Sequence, residues 1–268
     1  MELKVKIPNL NKKINYKEYF NKIGLKNLVK ESLIKRNIHL NQLPEDLNFT
    51  LPPELNKLYF LHQFILLNKR INILEFGSGW SSVIFSHALN KNKNKYKNIV
   101  NNKIRRVDPF KLKIIETYKK FIRYSETKLK KNLGSNIKNY KFLLSKVQMT
   151  NYNGNICTEY LKLPLFSPDF IYLDGPDQRN VLKEINGITT NYTDFFPMSC
   201  DILKVEFFLT PGTILIVDGR GANADFLKKN FKRKWKYQYI EKVGHHIFTL
   251  NEQSLGKYNS NQIKFYNK

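Results

Sequence analysis

Four strand candidates in this chain each run into an acid, and segments with helical spacing separate them. They are Ile71–Glu75, Lys103–Asp108, Phe170–Asp174 and Thr213–Asp218. Short runs of this kind between helical patterns read as buried strands of a mainly parallel sheet covered on both faces. In an open α/β sheet, ligands bind beyond the carboxyl ends of the strands. Glu75, Asp108, Asp174 and Asp218 are therefore expected on one rim. Aspartates that cap helices account for one or two of them. Capping does not predict an acid after nearly every strand.

The rest of the chain fits around that sheet. Residues 1–55 are polar and lysine-rich and read as a helical N-terminal extension of one or two short helices. Pro52 and Pro53 open a helix to about Arg70, with Leu58, Leu61 and Ile65 on its apolar face. Trp80–Leu89 has helical spacing. NKNKNKYKNIVNNK, residues 90–103, reads as an exposed insertion or a loose helix end. Lys111–Leu133 reads as a helix capped by Gly134, and Tyr140–Leu144 as a further strand. Helices are expected over Cys200–Leu209 and Ala224–Phe231. Tyr237–Lys242 and His245–Leu250 flank Val243-Gly244 as an antiparallel hairpin. The polar residues 251–268 read as a loose tail. The division is thus 1–55, 56–250 and 251–268.

Composition narrows the function classes. The 46 Lys+Arg against 22 Asp+Glu leave a formal charge of +24, which suits an anionic partner such as nucleic acid. Lys, Asn and Ile all abound, and AT-rich codons encode all three, so the charge also has a purely compositional reading. Cys157 and Cys200 are the only cysteines and form no CxxC pair, which leaves zinc knuckles and disulfide frameworks unsupported. MELKVKIPNL lacks a signal-peptide core. The longest apolar stretch, near YFLHQFILL, is too short to span a bilayer. A cytoplasmic protein is the expectation.

The first strand continues into ILEFGSGWSS, residues 73–82. Gly77 allows a tight turn, Gly79 lets backbone approach a ligand, and Ser81 or Ser82 can cap the next helix. A plain strand-to-helix turn also uses alternating glycines. A dinucleotide site wants GxGxxG/A, whereas position 82 is Ser. Glu75 ahead of the glycines suits a cationic ligand part better than a pyrophosphate.

This stretch resembles motif I of the class I S-adenosylmethionine-dependent methyltransferases, with Ser81 in place of the last glycine. RRVDPF, PDFIYLDGPDQRN and LTPGTILIVDG extend the resemblance over roughly residues 56–250. It implies a Rossmann-like, mainly parallel seven-stranded sheet with helices on both faces and an antiparallel C-terminal hairpin. It also implies that the cofactor's methionine part lies over Glu75, Phe76, Gly77, Ser78 and Gly79, near Ser81, Ser82 and Asp174. Asp108 would accept from the ribose hydroxyls, and residues 145–155 would pass near the adenine. The ammonium and sulfonium of S-adenosylmethionine are cationic, and a carboxylate-rich rim suits them.

Methyl transfer to a hydroxyl needs a base. Asp174, Asp218 and His245 are the candidates, with His246 on the other face of the same strand. Arg179 could face an anionic acceptor. Asp174 and Asp218 could instead hold a divalent cation, but Gly219 stands where the metal-dependent relatives have Asn, so this stays open. SPDF, residues 167–170, precedes its strand and lacks the second proline of the base-methylating enzymes, which argues against base N-methylation. The expected acceptor is a small molecule or saccharide, methylated at oxygen. An RNA methyltransferase using the basic surface and a non-catalytic protein retaining the fold are the alternatives.

Overall fold

The computed structural model describes residues 2–10, 13–34, 51–176, 179–192, 195, 196 and 198–268. Its centre is a seven-stranded sheet. The strands in chain order are β1 (Asn72–Phe76), β2 (Lys111–Glu116), β3 (Tyr140–Leu144), β6 (Phe170–Leu173), β8 (Ile214–Asp218), β9 (Trp235–Ile240) and β10 (His245–Leu250). Across the sheet the order is β3-β2-β1-β6-β8-β10-β9. All neighbours are parallel except β10, which runs antiparallel to both β8 and β9. The chain steps outward from β1 through β2 to β3, then returns to the other side of β1 at β6. That reversal opens a crevice between β1 and β6 at their carboxyl ends.

Side chains alternate along each strand, so the sheet feeds two cores. Ile73, Ile114, Phe170 and Ile216 belong to one, shared with α3 (Leu55–Leu67) and α4 (Trp80–Lys103). Leu74, Phe76, Leu173 and Val217 belong to the other, shared with α7 (Gly221–Asn230). α1 (Tyr16–Lys22) and α2 (Lys26–Ser32) add Phe20, Leu25 and Leu28 to the first core. The described part of the N-terminal extension is therefore packed onto the sheet domain. The expectations that fall on residues 35–50, including Pro44, lie outside the described residues.

Several sequence expectations are corrected. Residues 90–103 are helical: α4 is 24 residues long, anchored by buried Asn92 and Val100. At 1.5 Å per residue it spans about 36 Å, and residues 104–110 are then needed to bring the chain back to the sheet. The second strand accordingly begins at Lys111 rather than Lys103, and α5 (Lys119–Leu133) follows it. Residues 147–160 form a second sheet, in which β4 (Val147–Tyr152) pairs with β5 (Asn155–Tyr160) and with β7 (Val181–Leu182). The tail is ordered: α8 (Gly256–Asn267) buries Ile263, Phe265 and Tyr266. The helix expected over Cys200–Leu209 is shorter, α6 (Asp201–Val205) followed by a 3-10 turn.

α8 meets a buried arginine. Arg70 is fully buried, with its guanidinium carbon 4.0 Å from the centre of the Tyr266 ring and Nη1 donating to the Gly212 carbonyl at 2.8 Å. The Tyr266 hydroxyl donates to Asp169 Oδ2 at 2.5 Å, and Asp169 also accepts from the Ile71 and Asn72 amides. This cluster joins the loop before β1, the start of β6 and α8.

Candidate active site

The end of β1 is held between two neighbours. The Gly77 amide donates to the Ile115 carbonyl at 2.9 Å, and the Asp174 amide donates to the Phe76 carbonyl at 3.0 Å. Gly77 has φ +87°, and a Cβ there would stand 3.3 Å from Asp174 C and Gly175 N. Gly175 is tighter still, with 2.8 Å to both Gly77 N and Tyr160 Oη. The loops after β1 and β6 therefore touch backbone to backbone. Gly79 differs: a Cβ there would meet nothing nearer than Ser81 Oγ at 4.0 Å. Its missing side chain leaves open space.

That space belongs to a pocket of about 420 Å³ over the carboxyl ends of β1, β2, β6 and β8. Gly77, Ser78, Gly79 and Ser81 line it from the β1 loop, and Asp174 and Asp218 from the β6 and β8 ends. Pro52, Pro53 and Lys57 close it from the start of α3. Trp80, Tyr118 and Phe121 supply its aromatic wall.

Several expected residues lie elsewhere. Glu75 is fully buried beneath the loop, where Ser81 Oγ donates to Oε1 at 2.5 Å and Ser82 Oγ to Oε2 at 2.7 Å. Burial pushes its carboxyl up to about 8, against the two serine hydroxyls. Glu75 thus fastens the loop to the first turn of α4 and presents no oxygen to the pocket. Phe76 and Ser82 are also fully buried and do not line it. Asp108 is exposed, 3.6 Å from Lys111 Nζ, in the loop that enters β2 at the opposite end of the sheet. It cannot serve this pocket. Residues 145–155 do not line it either; their place is taken by Tyr160 from β5.

The acid at the end of β2 is Glu116. It accepts from Ser78 Oγ at 2.7 Å and from the Thr117 and Tyr118 amides at 2.7 and 3.1 Å. Burial raises its carboxyl, and those donors oppose the rise. Glu116 ends the run KLKIIE and carries the same apolar-then-acid signal as the other strand ends. The earlier VD of RRVDPF masked it.

At the other end of the pocket two carboxylates are held unequally. The Tyr172 hydroxyl donates to Asp218 Oδ2 at 2.5 Å, and His245 Nε2 lies 3.2 Å from Oδ1. Burial works to raise the Asp218 carboxyl. His245, Tyr172 and Lys57 outweigh it and hold the group below the ordinary aspartate range. Asp174 stands open to the pocket, yet enclosure by the surrounding protein and the negative charge of Asp218 raise its carboxyl, against Arg220 and Lys57. His245 is completely buried between the Phe60 and Tyr172 rings and does not reach the pocket. The expectation that it acts on an acceptor is corrected: it can only orient Asp218. His246 points to the other face, where Tyr237 Oη is 2.9 Å from Nδ1.

Among the described residues no three His, Cys, Asp or Glu side chains converge as a cation cage. Tyr172 occupies Asp218 Oδ2, and Lys57 and Arg220 direct positive charge at the Asp174–Asp218 pair.

No family model matches the chain, and no curated protein matches it. Solved structures are similar at low identity. An S-adenosylhomocysteine-bound methyltransferase of Podospora anserina is 13% identical, with 91% of this chain and 99% of that one covered at a TM-score of 0.48. An O-methyltransferase of tomaymycin synthesis from Streptomyces achromogenes, in complex with S-adenosylmethionine, is 14% identical over 90% of this chain and 100% of its own, at 0.40. An O-methyltransferase from Bacillus cereus is 12% identical over 91% and 93%, at 0.38.

Proposed function

We propose that this chain is an S-adenosylmethionine-dependent methyltransferase acting at oxygen on a small molecule or saccharide. One observation carries the reading. At the reversal of strand order, an open glycine backbone at Gly79 and the acid Glu116 line one pocket, together with an aromatic wall and the acids Asp174 and Asp218. The space beside Gly79 suits a ligand chain pressed against backbone. Ser78 and the two amides leave Glu116 Oε2 with acceptor capacity for a ribose hydroxyl. Asp174 gives the pocket a negative group for an ammonium. Pyrophosphate would meet Glu116 at this position, so a dinucleotide fits poorly.

When bound, S-adenosylmethionine supplies an electrophilic methyl group that transfers by in-line displacement. The residues of the chain have the remaining tasks. Trp80, Tyr118 and the prolines before α3 narrow the pocket and exclude water. Asp218 is the base: it is held ionised and its direction is fixed by Tyr172 and His245. It would take the acceptor's hydroxyl proton as the new carbon–oxygen bond forms and the carbon–sulfur bond breaks. Lys57 and Arg220 would orient a polar or anionic part of the acceptor.

Isothermal titration with S-adenosylmethionine, S-adenosylhomocysteine and NAD tests the cofactor. Binding of the first two, lost in Glu116→Ala and kept in Asp108→Ala, is the expected result. Binding of NAD alone would overturn the reading. An acceptor screen then tests the reacting atom, and methylation confined to amines would remove the oxygen assignment.

A further inference from the structure

The lysine-rich stretch at the end of α4 has no part in the pocket described above. It forms one wall of a second cavity, beside the loop that enters β1 at the other end of the sheet. This groove measures about 790 Å³. Tyr96, Ile99 and Ile104 from the α4 region and Phe265 from α8 make its floor. Lys4, Lys69, Lys103, Lys264 and Lys268 stand around it.

Lysines outnumber acidic side chains among the described lining residues. Glu2 is the one acid among the described lining residues, and it already accepts from Asn251 at 3.1 Å and from Lys236 at 3.4 Å. Lys69 Nζ lies 5.6 Å from the centres of both the Tyr96 and the Phe265 rings and donates to the Phe265 carbonyl at 3.3 Å. Burial and the charges of Lys6, Lys95 and Lys268 hold its ammonium below the ordinary lysine range. At the same end of the molecule Ile99 is 45% exposed and Leu67 38%. An apolar floor ringed by an excess of lysines is complementary to a ligand with an anionic head and an apolar body. A nucleotide is less well served. The neutral amides here are Asn261 and Asn267, and Asn267 is spent on the Lys4 amide and the Glu2 carbonyl.

We propose that this groove binds an anionic phospholipid, with the phosphate among the lysines and an acyl chain against Tyr96, Ile99 and Phe265. No helix among the described residues is long and apolar enough to cross a membrane; the attachment proposed is peripheral. It is independent of the methyl-transfer reading, because the groove and the pocket share no residue.

The test is cosedimentation of the full chain with phosphatidylglycerol–phosphatidylcholine vesicles. A protein of this charge adheres to any acidic surface, so the comparison is between charge-matched variants. Lys103→Gln/Lys264→Gln should weaken partitioning by about fivefold per lysine. Lys17→Gln/Lys22→Gln, on the exposed face of α1, should weaken it far less. Ile99→Asn should lower the binding that survives at high salt. Each variant is checked by thermal unfolding. Equal losses in the two lysine pairs, or no effect of Ile99→Asn, would overturn the proposal. Saturable binding of AMP in the groove, blocked by Lys103→Gln/Lys264→Gln and without vesicle preference, would also overturn it.

Discussion

The two glycines of the β1 loop are needed for different reasons, and substitution should separate them. Gly77 has positive φ and backbone at 3.3 Å from where a Cβ would sit. Gly77→Ala should therefore destabilise the fold by about 1–3 kcal/mol, read from urea unfolding. Gly79 meets nothing within 4 Å except Ser81 Oγ. Gly79→Ala should cost less stability than Gly77→Ala, only the loss expected at a helix N-cap, and should weaken cofactor binding in titration. Glu75 gives a prediction of opposite character. Its folded carboxyl lies at about 8, above the ordinary glutamate value of 4.5, so the native state holds that proton more tightly than the unfolded chain. The stability it contributes is present at low pH and is lost as pH rises from about 4.5 to about 8. Its slope is up to about 1.4 kcal/mol per pH unit. Glu75→Gln should flatten that slope in unfolding measured across the range. At the base, Asp218→Asn should lower turnover by about 10²–10⁴ with cofactor affinity unchanged. His245→Phe should act more mildly and shift the acid limb of the pH–rate profile, as expected of a positioning residue.

Among the elements, six of the seven main strands were legible because each is a short apolar run with its own boundary. The two failures at β2 and the tail have physical causes. Lys111–Glu116 contains Leu112, Ile114 and Ile115, which suit a strand or a helix equally at this length. Its neighbours decided the matter, since the length of α4 determines where β2 can begin. Residues 256–267 look polar in sequence because α8 buries only a narrow stripe, and that stripe exists to cover Arg70. Local pattern does not reveal a partner almost two hundred residues away. Of the site, the glycine loop and the β6 and β8 acids were readable, whereas Glu116, Tyr172 and Lys57 needed the register of the sheet. The Arg70 cluster also bears on stability. Tyr266→Phe should cost about 1–2 kcal/mol by removing the hydroxyl that meets Asp169. Asp169→Ala should cost more, because it leaves the buried Ile71 and Asn72 amides and the Tyr266 hydroxyl without their acceptor, at about 1–3 kcal/mol for each unsatisfied group. Chemical denaturation of both variants checks the ranking.

For the molecule as a whole, the N-terminal helices complete the main core. Removing residues 1–34 would uncover the side of α3 and α4 that Phe20, Leu25 and Leu28 protect. At about 1.5–3 kcal/mol per buried side chain, the loss is comparable to the entire stability of a domain. The truncated chain should fail to unfold cooperatively in a thermal melt. The first and last described stretches are joined directly: the Lys4 amide donates to Asn267 Oδ1, and Asn267 Nδ2 donates to the Glu2 carbonyl, both at 2.8 Å. During synthesis residue 267 leaves the ribosome long after residue 4. The N-terminal segment therefore spends most of translation without the partner that fixes it, while the apolar surface around Arg70 waits uncovered for α8. The cell must tolerate or chaperone that open seam on every newly made chain, and a stalled ribosome would release a product that never closes it.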